Sequence, residues 1–256
     1  MAGSPEAAFT SAMKGLKARK VSQFISAVAP SSALDEMKSG WEEKRKEKFT
    51  EQEDQEFRQF MGMVTADGAE EMLFMMAKPQ LAEAQQQLAM MSAMVPMMAA
   101  GAMEESGAPM DAMSLMEPMT AKLAKLDIAS EEKCKEAISI LCTAARSMKL
   151  ESLSDIQKLD FDGLMGKSDL AFGMVMDVLD VYGISFDEAL DSMEVKTISM
   201  ESGTAQMEVS VTLFGTKSSP IPFEMVKDAD GRWTMPEKKP EADSANLDSV
   251  EPEFAR

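Results

Sequence analysis

Sulfur is the most conspicuous chemical group in this sequence. Of its 27 methionines, 15 lie between Met61 and Met119. Met90, Met91, Met94, Met97 and Met98 crowd into one stretch, and Met110, Met113, Met116 and Met119 follow at every third residue. Thioether sulfur is a soft ligand that selects cuprous copper. A period-three run suits a single ion poorly, because each step drifts by about 60° around a helix of ~3.6 residues per turn and four side chains spread over half its circumference. No His or Cys stands among these methionines to complete a site. Methionine is also an adaptable filler of irregular helix packing and of promiscuous apolar grooves. Core or partner-binding surface is therefore the preferred reading of the cluster, with methionine-based cuprous copper binding as the alternative.

Other reactive groups are sparse. The chain has no histidine, which removes the commonest general base and the commonest metal ligand. Cys134 and Cys142 are eight residues apart in a helical segment, so their Cα atoms stand roughly 12 Å apart, too far for a disulfide within that helix. They read as free, buried thiols with no histidine to activate them. Asp160-Phe161-Asp162-Gly163 and Asp228-Ala229-Asp230-Gly231 both lack the alternating oxygen ligands and terminal Glu of a calcium loop. Turn formation explains them better. Tyr182, the only tyrosine, reads as a packing residue at a helix end. No phosphate-cradling glycine loop and no G-x-S-x-G elbow is present. No catalytic residue, cofactor-binding residue, cofactor or metal ligand is assigned.

The elements that would position any site are mostly helical. Predicted helices run from Pro5 to Gly15, from Val21 to Val28 before Pro30, and, capped by Ser31 and Ser32, through Trp41 to Lys48. Thr50 with Glu53 and Asp67 with Glu70 are spaced as capping boxes. A further helix starts at Lys78-Pro79 and is expected to kink or end at Pro96, with a loop over Gly101–Pro109. Met110 to Leu126 resumes helix, Ser130 caps another lasting to Met148, short turns occupy Ser152–Met165, and Asp169–Tyr182 closes at Gly183. The period then changes. Ala205, Met207, Val209, Val211 and Leu213 alternate with Gln206, Glu208, Ser210 and Thr212, the signature of a half-buried antiparallel strand. With Met193–Met200, Ile221–Lys227 and Arg232–Met235 it makes a four-stranded antiparallel meander. On this pattern Val209→Asp is expected to unfold the chain.

The fold class is thus α+β, predominantly helical with a C-terminal sheet packed on helices. Residues 1–235 are read as one α+β domain and 236–256 as a disordered acidic tail. The 26 basic against 44 acidic residues give a net charge of −18, which repels nucleic acid and anionic lipid. Leu88–Met103 is interrupted by Pro96 and Gly101 and is too short for a membrane span. Met1–Lys20 has no continuous apolar core of the kind a signal peptide carries.

The run Val195 with Gly203-Thr204-Ala205-Gln206-Met207-Glu208-Val209-Ser210-Val211, followed by Pro222-Phe223-Glu224-Met225-Val226-Lys227-Asp228-Ala229-Asp230-Gly231-Arg232-Trp233, resembles the closing strands of nuclear-transport-factor-2-like domains. Phe9 to Val28 is similar to their N-terminal helices. The likeness covers 5–28 and 193–235. It implies a curved sheet folded over helices into a cone with an apolar pocket, residues 31–192 being a large Met-rich helical insertion. It also implies a bacterial protein and favours an extracytoplasmic location, with a signal peptide removed, over a cytoplasmic one. Members of that group include isomerases and dehydratases, but the inward positions Ala205, Met207, Val209, Val211 and Leu213 carry no ionisable group. The expectation is a non-catalytic protein that binds an apolar small molecule or a protein partner, with an isomerase- or dehydratase-like enzyme as a further alternative.

Overall fold

The computed structural model describes residues 3–106, 122 and 124–236, with the backbone alone at 93 and 95–106. The spaced run Met110 to Met119, most of the helix expected over Met110–Leu126 and the tail expected beyond Pro236 lie outside these residues. Ten α-helices are described: α1 Pro5–Lys17, α2 Val21–Val28, α3 Ser31–Lys44, α4 Glu51–Thr65, α5 Ala69–Ala77, α6 Leu81–Ser106, α7 Glu131–Met148, α8 Leu153–Gln157, α9 Phe161–Val181 and α10 Phe186–Asp191. A 3₁₀ turn, Lys78–Gln80, joins α5 to α6. The strands are β1 Glu194–Glu201, β2 Thr204–Ser210, β3 Thr212–Leu213, β4 Thr216–Lys217, β5 Ile221–Lys227 and β6 Trp233–Thr234.

Local side-chain chemistry sets most helix starts. Thr50 and Glu53 form a reciprocal capping box on α4, and Ser152 and Asp155 form another on α8. Ser130 caps α7 by accepting from the Lys133 amide. Three expectations need correction. Asp67 does not cap α5: Gly68 does, at φ 77, and Glu70 instead pairs with Arg146 at 2.6 Å. Ser31 lies inside α3 and spends its hydroxyl on Asp230 at 2.7 Å. The helix expected to kink or end at Pro96 continues as α6 to Ser106, so 101–106 is helix and not loop. Proline forfeits one backbone hydrogen bond, but flanking residues of high helix propensity carry the chain through.

The α+β class and the four-stranded antiparallel sheet are present, in the order β1-β2-β5-β6. Ser202 at φ 47 and Gly203 at φ 89 close the β1–β2 hairpin, the paired positive φ values that a tight right-twisted turn requires. The long predicted strand breaks at Val211. There the Val211 amide donates to the Ser218 hydroxyl at 3.0 Å and the Thr212 amide to the Ser192 hydroxyl at 2.8 Å, so side chains take over the ladder. Residues beyond this point turn into the separate β3–β4 hairpin. Val211 and Leu213 therefore leave the main sheet.

Helix α1 covers the inner face. Phe9 packs with Ala205, Met207, Met225 and Trp233, and its ring lies 4.8 Å from that of Phe223. A second core joins Met61 and Val64 of α4 to Ala145 of α7, flanked by Leu73 of α5. Between them sits Asp169 of α9, which is buried and accepts from both the amide and the hydroxyl of Ser22 at 2.8 Å. Helix α2 has no side-chain cap of its own, so a carboxylate 147 residues away supplies the acceptor. In the adjoining turn Arg19, at φ 60, reaches Asp187 at 2.7 Å and Asp180 at 3.0 Å.

Two outcomes follow for stability. Met207 is 1% exposed while Val209 is only half-buried, so Met207→Asp is expected to cost more than about 4 kcal/mol and Val209→Asp only about 1–2 kcal/mol. Equal costs in urea unfolding would contradict the assigned faces. Asp228 accepts from the Arg232 amide at 2.9 Å and from its guanidinium Nε at 3.0 Å. Burial alone would raise its pKa, but these hydrogen bonds prevail and hold the carboxylate below its ordinary value. A lowered folded-state pKa stabilises fully above pH ~4 and loses that contribution as pH falls through the folded value. Asp228→Asn is therefore expected to flatten the fall in urea midpoint between about pH 5 and pH 3; an unchanged slope would show that the contact does not matter.

Candidate functional site: a methionine-faced pair of helices

The sequence α5-turn-α6 presents thioethers to water. On α5, Met72, Met75 and Met76 stand at i, i+3 and i+4, the spacing that places side chains on one helix face. All three are exposed, Met75 at 67%. The opposite side of α5 is anchored by Phe74, which is buried. Lys78 and Lys135 hold their ammonium groups 5.8 Å and 4.5 Å from the centre of the Phe74 ring. Phe74 thereby ties α5 to α7.

Helix α6 divides in the same way. Leu81, Ala84, Gln85, Leu88 and Ser92 form a stripe that is partly or fully buried. Gln85 fixes this side by accepting from the Ile128 amide at 2.8 Å and donating to the Leu126 carbonyl at 2.9 Å. The outward stripe is Glu83, Gln87, Met90, Met91 and Met94. Met90 and Met91 are 66% and 65% exposed. These methionines fill no core. The ones that do, among the described residues, include Met61, Met176, Met207 and Met225.

Other residues singled out in the sequence fall into structural roles. Cys134 and Cys142 are free and buried, and burial raises both thiol pKa values, which suppresses the reactive thiolate. Tyr182 caps α9 and burial raises its pKa too. Asp160 caps α9 by accepting from the Gly163 amide at 2.7 Å, and Asp228 shapes the β5–β6 turn. Among the described residues no group of three or more Cys, Asp or Glu side chains converges as a metal site. No described helix is long and apolar enough to cross a membrane.

The sheet's inner face is filled by side chains from α1. Open clefts lie instead between helices. One of about 390 Å³ runs between α7 and α9 beside Arg19 and Asp169. Another of about 640 Å³ separates α2 and α3 from the start of α9. A third, of about 630 Å³, lies at Arg58, Arg146 and Lys149. Two of its three cations are already engaged, Arg58 by Asp54 at 2.6 Å and Arg146 by Glu70, and Glu151 also lines the cleft. The α5–α6 surface was legible in part, because Met72, Met75 and Met76 carry the helical spacing in the sequence itself. What sequence alone could not supply was which side of each helix the rest of the chain covers. No family model, curated protein or solved structure matches this chain.

Proposed function

We propose that the chain is a non-catalytic binding or accessory protein, built on a nuclear-transport-factor-2-like scaffold, whose α5–α6 methionine face docks an apolar partner. The observation that carries this reading is the exposure of Met72, Met75, Met76, Met90, Met91 and Met94 on helices whose other sides are already packed. Exposed large apolar groups concentrated on two successive helices mark interaction surfaces. Flexible thioethers conform to many apolar shapes. The partner that fits is an amphipathic helix with basic residues, since a chain of net charge −18 draws cations toward it. The scaffold reading is supported by the four-stranded antiparallel sheet with α1 across it. An isomerase- or dehydratase-like activity gains no support from the inner face, which holds Ala205, Met207, Phe223 and Met225.

A second reading, cuprous copper binding, is favoured by the same spacing. Met72 neighbours Met75 and Met76, and Met94 neighbours Met90 and Met91, with Cβ separations of about 5–6 Å within one turn. Three soft sulfurs can then face one ion.

Calorimetric titration with a synthetic Leu/Lys amphipathic peptide tests the first reading. A Kd of about micromolar order is expected, weakened at least about tenfold by Met75→Lys with Met91→Lys while the melting temperature stays unchanged. Absence of binding, or equal binding by the variant, would overturn it. Anaerobic Cu(I) titration against a competing chelator tests the second, which fails if leucine at all six positions leaves copper retention unaltered.

A further inference from the structure

Thioether sulfur is readily oxidised where an oxidant can reach it. In the reaction R–S–CH₃ + H₂O₂ → R–S(=O)–CH₃ + H₂O, sulfur gains an oxygen and loses two electrons while the peroxide is reduced to water. Access therefore selects the site. Met72, Met75, Met76, Met90, Met91 and Met94 are exposed, whereas Met61, Met176, Met207 and Met225 are buried. Competing groups are shielded. Cys134 and Cys142 are buried, Trp233 is buried, and the chain has no histidine. Met37 of α3 and Met200 of β1 are exposed as well, at 40% and 54%, so an oxidant approaching the described part of the molecule reaches these eight thioethers, six of which make up the α5–α6 face.

Oxidation there changes the chemistry of the surface without opening the fold. A sulfoxide is polar and accepts hydrogen bonds, so it no longer gains from contact with an apolar partner. The packing that holds these helices is on their other sides: Phe74 on α5, and on α6 the stripe from Leu81 to Ser92 with the Gln85 hydrogen bonds. We propose that the methionine face is an oxidant-operated switch: sulfoxidation of these six residues by peroxide releases the docked amphipathic helix. Reduction by a methionine sulfoxide reductase restores it, a dithiol becoming a disulfide with loss of water. This inference rests on the docking function proposed above.

The test treats the full chain with limiting hydrogen peroxide, maps methionine sulfoxide by peptide mass spectrometry over time, and measures melting and Leu/Lys-peptide binding before and after. The six exposed residues are expected to oxidise at least about tenfold faster than Met61, Met176, Met207 and Met225, with melting unchanged and peptide affinity reduced at least about tenfold. Reductase with dithiothreitol should return the original affinity. A variant with leucine at all six positions separates switch from docking: it should bind the peptide and ignore peroxide. Comparable oxidation of buried and exposed methionines, or an oxidised protein that binds with unchanged affinity, overturns the switch. Failure of the untreated protein and the leucine variant alike to bind overturns docking, and the switch falls with it even if oxidation is selective.

Discussion

The carboxylate of Asp169 ties the N-terminal helix α2 to α9, 147 residues along the chain. Helix α2 begins after Lys20 with no cap of its own, and its amide at Ser22 finds an acceptor only on α9. A buried backbone donor left unpaired costs about 1–3 kcal/mol, so the contact fixes where α2 can lie. From α2 the constraint passes to the sheet. The Met235 amide donates to the Val28 carbonyl at 2.7 Å, and Arg232 donates to the carbonyls of Ser26 and Ala29 at the end of the same helix. In the other direction α9 packs on α7, and α7 packs on α4 and α5. A continuous line of contacts thus runs from the C-terminal strands to the helix that carries Met72, Met75 and Met76.

The two cores differ in what they leave exposed. The sheet core is closed: α1 seals one face with Phe9, and Met207 and Met225 are almost wholly removed from water. Burial of side chains of this size contributes about 1.5–3 kcal/mol each. The helical core around Met61, Val64 and Ala145 buries one side of α5 and ends there. The outer methionines receive none of this stabilisation. A sequence shaped by folding alone would place polar residues at such positions, as it does with Glu83 and Gln87, two turns and one turn earlier on α6. The proposed docking rests on six exposed thioethers in their place, and the same exposure puts them among the sulfurs that oxidants reach.

Much of the local architecture was legible in the sequence, for reasons that are themselves local. Thr50 with Glu53, Ser130 before its acidic turn and Pro30 after α2 each act within four residues. What sequence did not disclose depends on distant partners. Asp67 with Glu70 has the spacing of a capping box, yet Arg146 recruits Glu70 and leaves Gly68 at the helix start. The alternation from Ala205 to Leu213 reads as one strand, yet the hydroxyls of Ser192 and Ser218 interrupt it at Val211. Asp169 carries no local signal of its role. The candidate site was half legible: helical spacing groups the methionines, but only the packed sides, marked by Phe74 and Gln85, show that the thioethers face water.

Methyl NMR on protein labelled at the methionine ε-methyl carbons tests the central claim most directly, read first with a soluble paramagnetic relaxation agent and then with the Leu/Lys peptide. The account predicts strong relaxation of Met72, Met75, Met76, Met90, Met91 and Met94, weak relaxation of Met61, Met207 and Met225, and peptide-induced shifts confined to the first group. Protected resonances for those six, or peptide shifts centred on the sheet methionines, would contradict it.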